Sequence, residues 1–257
     1  MIVTAQPFFN ELDLLEIKFE TLLGIVDAHI VVEADRTFTG NPKPLHFYEN
    51  RFRFEKYPVI HVTVKLPEIS DSAWDRERLQ YQAVRDVVKA ICPEIALWLD
   101  ADECPKPDTV ERFRNSGNKC ATIEMDQLLH YFNRCDTRGK WTNSKIGFYD
   151  QFANEQPWRG MTGIPVLNDS GWHFETFGDK SAILEKLHAY SHFEDESCKN
   201  YISKVAKGFR PGFSATVDYP EEKLPRFVTD NRVRFSKYFL EREELEKMIL
   251  ESSQCPE

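Results

Sequence analysis

Three carboxylate side chains follow one another closely near the middle of the sequence. Asp100, Asp102 and Glu103 come directly after an apolar run at residues 95–99. Carboxylates this close repel one another unless a cation or protons neutralise them. Asp100 and Asp102 project from the same side of an extended chain, so both could hold one divalent ion. Oxygen ligands suit Mn²⁺ or Mg²⁺, which also bind diphosphate oxygens, and we therefore expect a metal–diphosphate site.

The elements around these acids predict where they lie in the fold. Patterns typical of strands occur at residues 2–5, 29–33, 59–64 and 95–99, and helical patterns occur at 11–23 and 73–90. This alternation predicts an α/β fold with a Rossmann-type, mostly parallel central sheet flanked by helices. Such sheets bind ligands beyond the carboxyl ends of their strands, where Asp100 and Asp102 would lie. The alternative is that both residues only cap the following helix, since Asp is common at such turns.

The second half of the chain is less regular. It has a strand pattern at residues 121–125, helical patterns at 180–190, 199–209 and 237–251, and many aromatic residues between 128 and 172. We expect a mixed C-terminal half and no separate domain. The prediction is one catalytic domain over residues 1–257, with a nucleotide-binding half at 1–115 and an acceptor-side half at 116–257.

Composition and charge exclude several classes of protein. The chain has 257 residues, a formal net charge of −9 and 41% hydrophobic residues, so general disorder is excluded. The negative charge disfavours a nucleic-acid partner, although a local basic face at residues 199–210 stays open. No apolar run approaches the ~20 residues that span a bilayer, and no signal peptide is recognisable. We therefore expect a cytoplasmic protein without a membrane span.

Several motifs together resemble one known family. They are PFFNELDLLE at 7–16, VEADRTFTGNPKPL at 32–45, WDRE at 74–77, DADECP at 100–105, GWHF at 171–174 and KLHAYSHFE at 186–194. In this order they resemble glycosyltransferase family 17, the family of the animal bisecting N-acetylglucosaminyltransferases. The resemblance implies a GT-A fold, a UDP-sugar donor, a divalent metal and inversion at the anomeric carbon. Animal members carry an N-terminal membrane anchor, whereas the first predicted strand of this sequence begins at residue 2. We therefore expect a bacterial or viral enzyme with another hydroxyl-bearing acceptor, most simply a glycan.

The resemblance and the strand positions suggest donor and metal residues. Glu33 ends the second strand, where nucleotide-binding folds place an acid on ribose or base, and the alternative is an exposed acid at a strand end. Arg76 lies in the family-like WDRE motif, and its guanidinium suits a diphosphate. Asn10 is a candidate donor contact or, more economically, the N-cap of the first helix. Asp100 and Asp102 are the predicted metal ligands, and Asp100 also contacts the donor. His173 is the predicted third ligand, with His192 as the competing candidate.

Inverting transfer also needs a carboxylate that accepts the proton of the acceptor hydroxyl. Glu194 and Glu175 are the candidates for this catalytic base, with Asp169 behind them, and the sequence does not choose among the three. The side chains of Trp141, Trp158, Trp172 and Phe177 could stack on sugar rings, although aromatic residues more often fill a core.

Two other functions remain open from the sequence. A non-catalytic protein that binds sugar nucleotides or glycans could retain the same fold. A nucleotidyltransferase would also use paired acids and a metal, but the chain lacks a Gly-rich phosphate loop near its N-terminus. The predicted function is transfer of a sugar such as N-acetylglucosamine from a UDP-sugar to a hydroxyl acceptor.

Overall fold

The structure is a computed structural model that describes residues 1–152, 160–243 and 245–246. Within these ranges, twelve strands form two sheets. The strands are β1 (Ile2–Phe8), β2 (Ala28–Ala34), β3 (Val59–Val64), β4 (Ile95–Trp98), β5 (Glu103–Pro105), β6 (Cys120–Ile123), β7 (Asp126–Leu129), β8 (Arg134–Asp136), β9 (Lys145–Phe148), β10 (Val166–Leu167), β11 (Gly171–Glu175) and β12 (Thr216–Asp218).

Helices cover both sheets and connect their strands. They are α1 (Leu12–Thr21), α2 (His46–Glu49), α3 (Ala73–Ile91), α4 (Thr109–Asn115), α5 (Tyr149–Phe152), α6 (Lys180–Ala189), α7 (Glu196–Ala206) and α8 (Arg226–Asp230). A 3-10 turn at Ser191–Glu194 joins α6 to α7. No helix in the described part of the chain has the length and apolar character needed to span a membrane.

The larger sheet has seven strands in the order β10–β6–β9–β4–β1–β2–β3. The strands β1, β2, β3 and β4 run parallel, and β6 and β10 share their direction. Strand β9 runs the opposite way, because it pairs antiparallel with both β4 and β6. The predicted α/β class with a mostly parallel central sheet is therefore confirmed.

The central strands are apolar because both of their faces are covered. Val3 and Ile30 pack against Val84 of α3 on one face. Residues of the opposite parity, such as Val31, pack with Phe19 of α1 on the other face. Since parallel strands buried on both sides need apolar side chains at nearly every position, the continuous apolar runs of the sequence become the centre of this sheet.

The order of the strands creates a crevice beside β1. The chain passes from β1 to β2 and β3 on one side, and then returns to place β4 on the other side of β1. The connections after β1 and β4 therefore leave the sheet in opposite directions. In open α/β sheets this switch in strand order is the usual place for a ligand.

The smaller sheet, with the order β12–β8–β7–β11–β5, brings the second half of the chain to this crevice. Strand β5 begins directly after Asp102 and pairs antiparallel with β11, so that His173 lies opposite Glu103. Gly171 permits this close pairing, since a Cβ atom there would lie 2.8 Å from the Cys104 carbonyl oxygen. The pairing places the GWHF motif next to the acidic cluster.

Two predictions for the second half differ from the structure. The helix predicted at 237–251 does not begin at Lys237, because Ser236–Tyr238 form a 3-10 turn and Phe239 is extended. Phe239 and Leu240 are buried in apolar clusters, which holds this segment against the body of the protein. Residues 247–251 of that prediction lie outside the described part. The predicted strand at 121–125 is β6, which ends at Ile123.

Candidate active site

A cleft of about 660 Å³ opens at the carboxyl ends of β1 and β4. The residues after these strands, including Phe9, Glu11, Asp100 and Asp102, form its floor. Side chains of α3 and of the loop after β2 line one wall, and residues of β11, α6 and α7 line the other. Both halves of the chain therefore contribute to one cleft, and it lies where the strand order predicts a ligand site.

Asp100 lies at the cleft and is fixed through its backbone. Its amide donates a hydrogen bond to Glu103 Oε2 at 2.7 Å, and its carbonyl accepts one from the buried Lys18 ammonium. Its carboxylate accepts a hydrogen bond from the Tyr81 hydroxyl on α3. Burial lowers the pKa of Lys18 to about 8, although nearby acids, with Glu103 first, oppose this shift. The half-buried Asp100 carboxylate therefore faces the cleft in a defined orientation.

Glu103, the third acid of the cluster, supports the turn and does not line the cleft. Its side chain is fully buried. The carboxylate accepts hydrogen bonds from Trp141 Nε1 at 2.6 Å and from Ser144 Oγ at 2.8 Å, in addition to the Asp100 amide. A buried carboxylate needs such donors, because it has lost its hydration. Glu103 thereby connects the acidic turn to the strand β9 region.

Asp102 is buried and paired with a lysine from the second half of the chain. Its Oδ2 lies 2.6 Å from Lys186 Nζ, and the same nitrogen lies 3.0 Å from Glu11 Oε1. Burial alone would raise the pKa of Asp102, but the cationic Lys186, together with His173, holds it well below its usual range. Asp102 is therefore an ionised carboxylate at the cleft.

His173 of β11 lies beside Asp102, and its role as a metal ligand stays a prediction. Its Nε2 is 3.8 Å from Asp102 Oδ1, and its ring stacks on Trp141 with 4.0 Å between the ring centroids. Burial lowers the pKa of His173, which favours the neutral imidazole that binds metals. The buried Nδ1 has no hydrogen-bond partner in the described part of the chain.

The residues at the cleft fit a divalent ion only if the donor completes its coordination. In the described residues, no group of three His, Cys, Asp or Glu side chains could hold an ion by itself. Asp102 Oδ1 and His173 Nε2 are separated by a distance that two ligands of one ion can have, about 3–4 Å. Two ammonium groups, those of Lys18 and Lys186, lie among four carboxylates, those of Glu11, Asp100, Asp102 and Glu103. A divalent ion would offset the excess of two negative charges.

Glu33 lies at the end of β2 as predicted, but its carboxylate is directed at α2. Glu33 is fully buried and is absent from the cleft lining. Its oxygens accept hydrogen bonds from the amides of Phe47 at 2.9 Å and Tyr48 at 3.2 Å, and one lies 3.2 Å from His61 Nε2. The acid therefore anchors the first turn of α2, and this geometry differs from the predicted contact with the donor.

Arg76 is buried and does not line the cleft. Its guanidinium donates hydrogen bonds to the carbonyls of Pro67 at 2.8 Å, Phe38 at 3.1 Å and Glu68 at 2.6 Å. The bond to Phe38 holds the loop after β2, which lines the cleft, and the other two bonds tie the guanidinium to the loop after β3. The guanidinium is thus engaged in fixing these loops, and its contact with a diphosphate stays a prediction. Arg78 is exposed and pairs with Asp75.

Of the two predicted bases, only Glu175 lines the cleft. It is the last residue of β11, two positions after His173, and its carboxylate accepts a hydrogen bond from Gln127 Nε2. Glu194 is exposed, and its Oε1 accepts a hydrogen bond of 2.8 Å from the Ala73 amide at the start of α3. Glu194 therefore caps a helix, because a carboxylate satisfies the free amides of a first turn.

The predicted N-cap at Asn10 is wrong by one residue. Helix α1 begins at Leu12, Glu11 occupies the N-cap position, and the Glu11 side chain makes no capping hydrogen bond. The Asn10 backbone carbonyl accepts a hydrogen bond from the Leu12 amide at 2.8 Å. Glu11 is instead drawn to Lys186, so the residue after Asn10 is the one that lines the cleft.

The aromatic residues predicted to contact sugars have different positions. Trp141 lines the cleft, whereas Trp172 is buried and donates a hydrogen bond of 2.9 Å to the Lys223 carbonyl. Phe177 packs against the apolar cluster that contains Phe132 and Phe174. Trp158 lies outside the described residues.

Sequence reasoning missed Lys186, Glu11, Tyr81 and Glu77 as cleft residues. Lys186 begins the KLHAYSHFE motif, and Glu77 ends the WDRE motif. The motifs were therefore a signal for these positions. The sequence does not indicate which single helical residues face the cleft. The contact of Lys186 with Asp102, for example, joins residues that are 84 positions apart, so no local pattern predicts it.

The chain is similar to several known proteins. The model of glycosyltransferase family 17 matches residues 2–207. The β-1,4-mannosyl-glycoprotein 4-β-N-acetylglucosaminyltransferases of Rattus norvegicus and Homo sapiens are each 34% identical over 65 residues. Each match covers 24% of this chain and 12% of the relative, so the chain spans a small part of those enzymes.

Solved structures show a more distant likeness. S. aureus TarS 1-349 in complex with UDP-GlcNAc is 11% identical, with a TM-score of 0.43, and the match covers 96% of this chain and 78% of that one. A putative glucose-1-phosphate thymidylyltransferase from Bacillus anthracis is 10% identical, with a TM-score of 0.36 over 68% of this chain and 88% of that one. Likenesses this distant carry no argument about the reaction. The family match extends from β1 through α7 and includes every cleft residue described above, and the chain therefore belongs to glycosyltransferase family 17.

Proposed function

We propose that this protein transfers a sugar, with N-acetylglucosamine as the first candidate, from a UDP-sugar to a hydroxyl group of a glycan. Family membership supports glycosyl transfer, and the names of the animal relatives support N-acetylglucosamine. The observation that carries the proposal is the ionised Asp102 beside His173 in a cleft at the strand-order switch. This position suits the diphosphate of a nucleotide sugar, because nucleotides bind at such switch points.

The donor diphosphate is proposed to lie at the end of β4. Asp100 and Asp102, with His173, would hold a divalent Mn²⁺ or Mg²⁺, and phosphate oxygens and water would complete its coordination. When bound, such an ion offsets the negative charge that develops on the departing diphosphate. The Tyr81 hydroxyl orients Asp100, and Trp141 packs against the imidazole of His173.

Glu175 is the proposed catalytic base. In an inverting transfer, the acceptor oxygen bonds to the anomeric carbon as the bond from that carbon to the diphosphate oxygen breaks. UDP leaves with the electron pair, and the hydroxyl proton passes to Glu175. Glu175 lines the same cleft as Asp102, and its hydrogen bond with Gln127 orients the carboxylate. Glu194 is less suited, since its carboxylate is engaged at the start of α3.

The first test measures UDP release from UDP-N-acetylglucosamine and related UDP-sugars with a panel of glycan acceptors. Asp102→Asn and Glu175→Gln should each lower kcat by about 10²-fold or more, because each removes a charge or a proton acceptor from the reacting groups. The exposed Asp108→Asn is the matched control and should retain full activity. UDP-sugar binding without turnover would favour a non-catalytic protein, and pyrophosphate release from UTP would favour a nucleotidyltransferase.

A further inference from the structure

We propose that Lys186 is a built-in cation of the donor site, which binds the donor diphosphate and competes with a divalent ion for Asp102. The inference rests on the proposed function, because it assumes that the cleft receives a nucleoside diphosphate. It adds a donor-binding role for a residue that the DADECP motif alone does not indicate. Three observations support it. The ammonium group of Lys186 contacts both Asp102 and Glu11, it has a third N–H that neither carboxylate accepts, and it compensates the charge of Asp102.

Lys186 reaches the acidic turn from the opposite wall of the cleft. It belongs to α6, whereas Asp102 follows β4 and Glu11 precedes α1. Its Nζ lies 2.6 Å from Asp102 Oδ2 and 3.0 Å from Glu11 Oε1, and its side chain is 25% exposed. One ammonium group thus joins three separate elements at the cleft, and it remains accessible to a ligand.

The ammonium group retains a donor for a ligand. A lysine ammonium has three hydrogen atoms, and the two carboxylates accept two of them. No other acceptor of Lys186 is found in the part of the chain that the structure describes. The third N–H can therefore bind a phosphate oxygen of a donor in the cleft, as a charge-assisted hydrogen bond.

The second lysine of the cleft is less available to a phosphate. Lys43 Nζ lies 3.5 Å from Glu33 Oε1 and donates hydrogen bonds to the carbonyls of Pro44 at 3.1 Å and Phe9 at 3.4 Å. Its side chain is only 5% exposed. Lys186 is therefore the better candidate of the two for a direct contact with the donor.

The same contact opposes metal binding in the absence of a donor. Asp102 is buried, and its charge is compensated by Lys186. A divalent ion that binds Asp102 comes within a few ångströms of this ammonium, and like charges at that distance repel each other strongly. A diphosphate brings negative charge and relieves the repulsion. Metal and nucleotide are therefore expected to bind cooperatively, with weak metal binding to the free protein.

The test uses isothermal titration calorimetry on the full chain, with UDP titrated in EDTA and Mn²⁺ titrated without nucleotide. Lys186→Met removes the charge and keeps much of the side-chain volume. It should weaken UDP binding in EDTA at least about tenfold, the loss expected for one charge-assisted hydrogen bond, and should tighten Mn²⁺ binding severalfold. Lys180→Met, an exposed position on the same helix, should change neither affinity.

The opposite directions of the two shifts separate the proposal from simple damage to the fold. Unchanged UDP affinity in Lys186→Met, or Mn²⁺ binding no tighter than in the wild type, would overturn it. If that variant does not fold, Glu11→Gln serves instead, since it keeps the ammonium and removes one carboxylate. It should then bind UDP more tightly in EDTA, and unchanged or weaker binding would contradict the proposal. A wild-type protein that binds no UDP would refute the proposed function itself.

Discussion

At the residue scale, the acids of the central cluster have separate tasks that follow from their surroundings. Asp102 is ionised, borders the cleft and is paired with a cation from another element. Glu103, one position later, points the other way and binds an indole N–H, a hydroxyl and a backbone amide. Asp102 is the last residue of the turn and Glu103 the first of β5, and successive side chains of extended backbone project to opposite sides, so that one acid faces the cleft and the other the scaffold.

Replacement of Glu103 tests this division. Glu103→Gln exchanges one acceptor oxygen for an NH₂ group, which then faces either the Trp141 indole N–H or the Ser144 hydroxyl and the Asp100 amide. A buried donor without an acceptor costs about 1–3 kcal/mol, so we expect the free energy of unfolding to fall by this amount in urea denaturation. Glu111→Gln, on an exposed position of α4, should unfold like the wild type. Equal stability of both variants would show that the buried network contributes little.

At the element scale, the loop after β2 is held over the cleft by an arginine and a glycine. Gly40 has a φ of +93°, and a Cβ atom there would lie 2.9 Å from Arg76 Nη2. Arg76 in turn binds the carbonyl of Phe38, which lines the cleft. The position therefore requires glycine for its backbone conformation and for the close approach of the guanidinium.

Gly40→Ala should loosen this loop and weaken donor binding severalfold. Gly117→Ala is the matched control, because Gly117 also has a positive φ of +69°, but a Cβ atom there would meet no described atom within 4 Å. Both variants carry the strain of alanine at positive φ, about 1 kcal/mol, and only Gly40→Ala also displaces Arg76. Calorimetric titration with UDP measures the difference. Equal UDP affinities for the two variants would argue against a link between the loop and the donor.

A cluster of ion pairs joins α1 to the C-terminal segment. Asp13 lies 2.8 Å from Arg53 and 2.9 Å from Lys237, and it accepts a hydrogen bond from the Tyr238 hydroxyl at 2.9 Å. Burial alone would raise the pKa of Asp13, but these partners, with Lys237 first, lower it to about 2. Ionised Asp13 therefore stabilises the folded state above its unfolded pKa of 3.8 and ceases to do so as the pH falls through 2.

This pH dependence can be measured with Asp13→Asn. At pH 7 the variant should be less stable than the wild type by on the order of 1–2 kcal/mol, since the exposed Lys237 partner is screened by water. The difference should shrink between about pH 4 and pH 2, where wild-type Asp13 becomes protonated. Chemical denaturation at several pH values provides the comparison. A difference that stays constant over this range would rule out the ion pairs as its cause.

Sequence patterns predicted some of these elements and not others for physical reasons. The apolar run before Asp100 could be recognised as a buried strand, because parallel strands need apolar residues on both faces. The positions of Glu33 and Arg76 were also predicted, but the directions of their side chains depend on backbone groups of α2 and of the loop after β2. The contact of Lys186 with Asp102 arises only when the two halves pack, so no local pattern reveals it.

At the scale of the whole molecule, one cleft collects residues from both halves of the chain. The first half contributes the ends of β1 and β4 and one face of α3, and the second half contributes β11 and α6. Residues after the family match still support this arrangement, because Arg234 lies 2.6 Å from Glu16 of α1. The C-terminal segment thus stabilises the helix that begins beside the cleft.

Inverting transfer of a sugar from a UDP-sugar fixes the anomeric configuration of the product, which can be measured. Wild-type protein is incubated with UDP-N-acetylglucosamine, Mn²⁺ and the glycan acceptor that gives the most UDP release, and the purified product is examined by NMR. Because the donor sugar is α-linked to UDP, we expect a product with one added β-linked sugar. An α-linked product, or release of UDP with no glycosylated product, would contradict it.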